Sequence, residues 1–325
     1  MRIPDRIYGD ILIDDPLVLH LIKTPQFSRL KHINQYGTGS LIGGKFLVNR
    51  FEHSIGVWSL LKRYGAPREE QIAGLLHDLS HTAFSHVADH FYDVRRENNY
   101  HEQIKEKFFL GSPVQQLLEQ AGMDVHRIME EEHYPLLEQP QPDLCADRID
   151  YFFRDCFVLG LHTKEDIARY LSHLIVQNGM FMLTTRESAV KMAHTYLEAS
   201  QKFWIGVQIA GSFELLVIVL KKAMQKGIIT EKDFLTHDDA IIGKIKGSGD
   251  ECLIKDLESI SWDNFILSGP DDYDLHTTGK ARYIDPPFLE EGKVLRVSNV
   301  DKAFVQTVAQ FQETIKKGYY LKRKQ

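Results

Sequence analysis

The feature that most constrains this chain is a set of histidines and aspartates spread over segments of helical period. Asn49-Arg-Phe-Glu-His-Ser-Ile-Gly56 carries His53. Gly74-Leu-Leu-His-Asp-Leu-Ser-His-Thr-Ala-Phe-Ser-His86 carries His77, Asp78, His81 and His86. Cys145-Ala-Asp-Arg-Ile-Asp-Tyr151 adds Asp147. This His … His-Asp … Asp order serves one ion only if separate helices pack with these residues turned inward. Two imidazoles plus carboxylates form a mixed nitrogen and oxygen donor set. Such a set suits Zn, Fe, Mn, Ni or Co better than Mg or Ca.

The bulk composition is compatible with such a core. A chain of 325 residues with 43% hydrophobic and 26% charged residues can bury a large interior. The net charge of -6 argues against a surface that coats nucleic acid. Cys145, Cys156 and Cys252 make no CxxC pair and no disulfide framework, which fits a reducing, cytoplasmic setting. Met1-Arg-Ile-Pro lacks the apolar core of a signal sequence, and no run of about 18 apolar residues exists, so no membrane span is expected.

Along the chain, residues 1–15 alternate in the manner of a short strand or extended arm. Thr24-Pro25 reads as a helix start, with Phe27, Leu30 and Ile33 on one face. Gly37, Gly39, Gly43 and Gly44 mark a loop. Helices are predicted over 50–64, 68–79, 83–93, 101–110, 113–121, 124–131 and 142–159. Asp147, Tyr151 and Asp155 step by four and share one helix face. A hairpin is predicted over 174–183 with Asn178-Gly179 at its turn. A long helical stretch over 186–226 should break near Gly206 or Gly211. Helices over 231–245 and to about 259, a loop over 262–280, strands over 282–287 and 293–297, and a helix over 300–317 complete the reading.

Histidine is common here, with 15 copies, and His20, His32, His162, His173, His237 and His276 read as ordinary surface or core residues. His77 and Asp78 alone would read equally well as a helix cap. Their neighbours tip the balance. His81, His86 and Asp89 lie just beyond, and His101-Glu102 follows. Imidazoles titrate near neutrality and can protonate a leaving oxygen or orient a water. Arg50 and Arg148 can fork onto phosphate oxygens. Beside a metal ion, these groups suit phosphoester hydrolysis.

Asn49-Arg-Phe-Glu-His53, His77-Asp78-Leu-Ser-His81-Thr-Ala-Phe-Ser-His86 and Asp147-Arg-Ile-Asp-Tyr-Phe-Phe-Arg-Asp155 resemble the HD-domain phosphohydrolases. The resemblance is to the deoxynucleoside triphosphate triphosphohydrolase branch. It extends to Thr24-Pro-Gln-Phe-Ser-Arg-Leu30 and to Tyr283-Ile-Asp-Pro-Pro287. It implies that His53, His77, Asp78 and Asp147 bind the metal, and that His81, His86, Asp89 and His101 are catalytic. It implies that Arg50 and Arg148 contact phosphates, while Gln35, Tyr151 and Asp155 sit at the sugar. The implied reaction is water attack on the α-phosphorus, releasing deoxynucleoside and tripolyphosphate.

Departures from the pattern accompany it. The late-helix arginine with which that branch holds the outer phosphates aligns with Tyr196, leaving Lys191 or Lys202 as substitutes. Lys23, Ser28 and Lys31 stand where an acid, a glutamine and an arginine form an activating guanine-nucleotide site, so that activation is not expected.

The expected fold is mainly α: an HD-domain helical core over 1–165, then a helical extension with small β-hairpins over 166–325. The expected cofactor is a divalent transition metal, with Mg on the substrate phosphates as an addition. The expected partners are a nucleotide substrate and further copies of the chain in a dimer or larger assembly, with no membrane. The alternatives are a nucleotidase acting on mono- or diphosphates and, in another class, a nucleotide-binding regulator with little turnover.

Overall fold

Helix capping sets where the principal helices begin. Asn49 caps the Arg50–Arg63 helix: its side chain accepts from the Glu52 amide at 2.9 Å, and Glu52 accepts from the Asn49 amide at 2.9 Å. This reciprocal box satisfies two amides that a helix start leaves unbonded. Thr163 and Asp166 form the same box at the head of the Lys164–His173 helix. A computed structural model describes residues 1–43, 46–93 and 100–324, so Gly44 lies outside the described residues.

The protein is mainly α-helical with small sheets. The Arg50–Arg63, Arg68–Leu76 and Ala146–Val158 helices pack together through Val57, Leu60, Leu61, Ile72, Leu75, Leu76, Ile149 and Phe153. Gly56 is where the first and third of these helices meet. A Cβ there would lie 2.1 Å from both Arg154 Nη2 and Asp150 Oδ1, so only glycine admits the buried Arg154–Asp150 pair.

The sheets are short. Arg2–Asp5 pairs antiparallel with Gly9–Leu12. Leu174–Gln177 and Met180–Leu183 form the expected hairpin, with Asn178 and Gly179 both at positive φ (52° and 73°) as a tight primed turn requires. Its second strand continues to Pro287–Glu290 and Lys293–Arg296 in a four-stranded sheet.

Several elements differ from the sequence expectation. The helix predicted over 83–93 shrinks to Val87–Phe91, because Phe84 and Ser85 turn left-handed at φ 60° and 49°. The loop predicted over 262–280 contains the strands Phe265–Leu267 and Leu275–Thr277. The basic C-terminal segment supplies their shared partner, Tyr319–Arg323, with Leu321 buried. The strand expected over 282–287 begins only at Pro287, since neither Pro286 nor Pro287 has an amide to donate to a ladder.

The long helical stretch divides into Arg186–Ala199, a π segment Ser200–Trp204, and Val207–Gln225. The break falls at Gly206, where a Cβ would meet the Lys202 carbonyl at 2.5 Å. Gly211 stays helical and makes room for the Phe265 ring. By length and composition Arg186–Gln225 could cross a membrane, but half of its most apolar window is buried in the protein, as in a core helix. Leu216 and Leu220 pack there against Phe84, Val87, Phe234 and Phe265 in a second core, which braces the segment following His81.

Candidate metal centre and catalytic cavity

Three helices bring the predicted ligands together. His53 projects from Arg50–Arg63, His77 follows the last turn of Arg68–Leu76, and Asp147 lies in the first turn of Ala146–Val158. His53 Nε2 is 3.2 Å from His77 Nε2 and 3.0 Å from Asp147 Oδ1, and His77 Nε2 is 3.5 Å from that oxygen. Ligand atoms held about 2.1 Å from a common ion sit roughly 3.0–3.4 Å apart, so the spacing fits a transition metal.

The tautomers fit as well. Asp150 Oδ2 lies 2.8 Å from His53 Nδ1, and the Gly74 carbonyl lies 2.8 Å from His77 Nδ1. Each bond takes an Nδ1 proton and leaves the Nε2 lone pair facing the centre, the usual arrangement behind metal-binding histidines. Asp78 approaches from the side. Its Oδ1 is 3.6 Å from His77 Nε2, and its Oδ2 is 3.7 Å from His53 Nε2.

The electrostatics also favour a cation. Burial pushes the His53 and His77 imidazoles down, but the surrounding carboxylates outweigh it and raise them to about 9 and about 10. Against the same burial, Arg50 and the two imidazoles hold the Asp78 carboxyl well below the usual range. Arg50 Nη1 reaches Asp78 Oδ2 at 2.5 Å, and its Nε donates to Ser85 Oγ at 2.8 Å. Arg50 therefore lines the cavity with its charge already paired.

A second group of imidazoles stands beside the first. His81 Nε2 is 3.3 Å from Asp78 Oδ1, and its ring stacks on His101 with centroids 3.9 Å apart. His86 Nδ1 pairs with Asp89 Oδ2 at 2.8 Å. Burial and then Arg50 hold His81 well below its ordinary value, and burial holds His86 at about 4 against the pull of Asp89. Both are held toward the neutral form, in which an imidazole can accept a proton.

These groups line one cavity of about 300 Å³. Gln35, Tyr151 and Asp155 line it too, with Tyr36, Trp204, Ile209 and Phe213 forming an aromatic and apolar wall. Trp204 Nε1 donates to Asp155 Oδ2 at 2.7 Å. Gln35 Oε1 and Asp155 Oδ1 are buried without a hydrogen-bond partner among the described residues.

Three expectations about phosphate binding change. Arg148 turns away from the metal cluster: its Nη2 reaches Glu138 at 2.7 Å, and it lines only an adjoining cavity. Lys191 pairs with Asp166 at 2.7 Å and Lys202 with Glu198 at 2.6 Å, and neither lines either cavity. Sequence reasoning missed His90, Glu131, Lys280 and Arg282, which do line the main cavity. His90, on the Val87–Phe91 helix, held the only local hint, since it lies one helical turn beyond His86. Lys280 and Arg282 sit in a loop far along the chain, where spacing carries no signal.

The family described as the HD domain matches residues 50–155. The uncharacterized protein YdhJ of Bacillus subtilis is 36% identical over 323 residues, covering 99% of each chain. The metal-dependent phosphohydrolase cns2 of Cordyceps militaris is 32% identical over 244 residues, 73% of this chain and 70% of that protein. Human deoxynucleoside triphosphate triphosphohydrolase SAMHD1 is 32% identical over 220 residues, 52% of this chain and 35% of that protein. A phosphohydrolase from Bacteroides thetaiotaomicron shares the fold, with a TM-score of 0.72 over 100% of both chains at 17% identity.

Proposed function

The chain belongs to the HD-domain metal-dependent phosphohydrolases, and from that premise we propose that it hydrolyses a nucleotide, a deoxynucleoside triphosphate before others, to deoxynucleoside and tripolyphosphate. The observation that carries this reading is the presence of two unsatisfied oxygens, Gln35 Oε1 and Asp155 Oδ1, in the cavity. Among the described residues both are buried with no hydrogen-bond partner in geometric range, though the Tyr36 hydroxyl lies near Asp155, and both line the cavity that the imidazoles and the Tyr36, Trp204 and Phe213 wall share. Buried polar atoms without partners are rare, and ligand hydroxyl or amino groups are what such atoms accept from or donate to. A nucleoside against the aromatic wall with its phosphates at the imidazoles satisfies both ends.

His53, His77, Asp78 and Asp147 are the proposed ligands of a divalent transition metal such as Mn. Bound there, the ion polarises a phosphoryl oxygen and lowers the pKa of a water. The remaining work falls to the chain. Asp150 keeps the His53 ring oriented, and Arg50 keeps Asp78 ionised and aimed. His86, oriented by Asp89, and His81, stacked on His101, are placed to take a proton and pass it to the leaving oxygen. An incoming polyphosphate favours their protonated forms, because nearby negative charge stabilises imidazolium. Asp155, pushed up to about 7 by burial, presents a carboxyl able to donate as well as accept at the sugar. Action in the cytoplasm, as a dimer or larger assembly, belongs to the same proposal. Sedimentation of the purified protein tests the assembly.

Incubating the Mn-loaded enzyme with deoxynucleoside tri-, di- and monophosphates and separating the products by anion exchange tests the reaction. Tripolyphosphate is the expected product. Orthophosphate released only from mono- or diphosphates makes the protein a nucleotidase instead. Binding without turnover of any of them makes it a regulator.

A further inference from the structure

We propose that Lys280 and Arg282 form a polyphosphate-binding pair that sets how many phosphates the substrate carries, a reading that rests on the phosphohydrolase assignment. Two adjoining cavities share Glu102, Glu131, Glu138, Asp147 and Tyr151, and only four lysine and arginine side chains line them among the described residues. Arg50 is held by Asp78 at 2.5 Å and Arg148 by Glu138 at 2.7 Å. Lys280 and Arg282 form no ion pair among the described residues, and both line both cavities.

The acidic wall opposite does not need them. Lys105 already bridges Glu102 at 2.6 Å and Glu131 at 2.7 Å, and Arg148 answers Glu138. Arg282 instead lies against the Tyr151 hydroxyl, which in turn meets the Tyr196 hydroxyl. Among the described residues this half-buried guanidinium has Asp147 nearby but no carboxylate in ion-pair contact, and its planar fork matches two phosphate oxygens.

The segment that carries the pair is anchored at both ends. Thr277 is registered opposite Tyr319 in the three-stranded sheet. At the other end the Asp285 amide donates to the Pro142 carbonyl at 2.9 Å, and Gln141 Nε2 donates to the Ala281 carbonyl at 3.0 Å. The two cations are therefore presented on fixed backbone where the two cavities adjoin. A single phosphate has few oxygens to share between the imidazoles and this pair. A chain of phosphates running outward from there meets them.

The test is calorimetric titration of the metal-loaded enzyme with inorganic tripolyphosphate and with orthophosphate. Lys280→Ala and Arg282→Ala should each weaken tripolyphosphate roughly 10- to 100-fold, the usual effect of removing a charged hydrogen-bond partner. Orthophosphate binding and metal content should not change. Arg282→Lys should recover only part of the loss, since it keeps the charge without the fork. With nucleotides, KM should rise for triphosphates and not for monophosphates, with kcat changed less. Unchanged tripolyphosphate affinity in the double variant, with wild-type metal content and melting temperature, overturns the proposal. So does a wild-type enzyme that binds tripolyphosphate no more tightly than orthophosphate. An enzyme that loses tripolyphosphate in these variants but turns over no nucleotide retires the nucleotide reading and leaves the pair standing.

Discussion

At the scale of single residues, the centre separates groups that would hold the ion from groups that would move protons. Among the described residues, Asp147 is the one carboxylate within 3.5 Å of both imidazole Nε2 atoms. Asp147→Ala should therefore lower metal content, read by elemental analysis, and abolish hydrolysis. Full metal with full activity would remove Asp147 from the ligand set. His81 touches Asp78 and stacks on His101, so His81→Ala should retain metal and cut turnover by roughly 10²- to 10⁴-fold. Unchanged turnover would make it a packing residue.

Asp155 gives a prediction in pH. Its folded-state pKa is raised to about 7, so the folded chain keeps a proton that the unfolded chain has already released above about 4. Its contribution to stability is present at acid pH, falls as the pH rises from about 4 toward 7, and changes no further above that. Denaturant midpoints at pH 5 and pH 8 should differ more for the wild type than for Asp155→Asn. Parallel shifts would show that the carboxyl titrates normally.

At the scale of elements, two contacts hold the proposed metal-binding and catalytic residues in register. Gly56 lets the Arg50–Arg63 and Ala146–Val158 helices approach closely enough for Asp150 to reach His53. Gly56→Ala forces the buried Asp150–Arg154 pair aside. It should destabilise the fold by about 1–3 kcal/mol in denaturant titrations and reduce metal affinity with it. Asp238 performs the corresponding task for the loop after His81. Its Oδ1 accepts from the Phe84 amide at 2.7 Å and its Oδ2 from the Asn34 amide at 2.9 Å. Phe84 and Ser85 are left-handed residues with side chains, a conformation that persists only when its surroundings enforce it. Asp238→Ala should leave the metal bound, destabilise by about 1–3 kcal/mol for each amide left unpaired, and lower turnover through a displaced His86. A variant with wild-type kinetics would show that the loop holds its own shape.

At the scale of the molecule, the ligands come from three helices and converge only in the folded chain. An ion that binds the native state alone stabilises it by mass action, by about 2.7 kcal/mol at a concentration 100 times its Kd. Chelation should lower the melting temperature and re-addition of Mn should restore it. A melting curve indifferent to chelator would place the ion elsewhere. The same convergence explains why His53, His77, Asp78 and Asp147 could be proposed as ligands from the sequence: a donor set for one ion needs particular residue types, and helical spacing tells which faces present them.

The sequence by itself determined the helical class, the proximity of His81 and His86 to the His53–His77 cluster, and the Asn178-Gly179 hairpin, because each rests on residue chemistry at short range. Tertiary structure decided what depends on long-range neighbours. Arg148 looked free and is held by Glu138, while Lys191 and Lys202 looked available and are spent on Asp166 and Glu198. Lys280 and Arg282 had no motif and reach the cavity because a strand near the C-terminus pins their loop. Whether a charge is free to meet substrate is set by the groups the fold places around it, and local spacing carries no record of those.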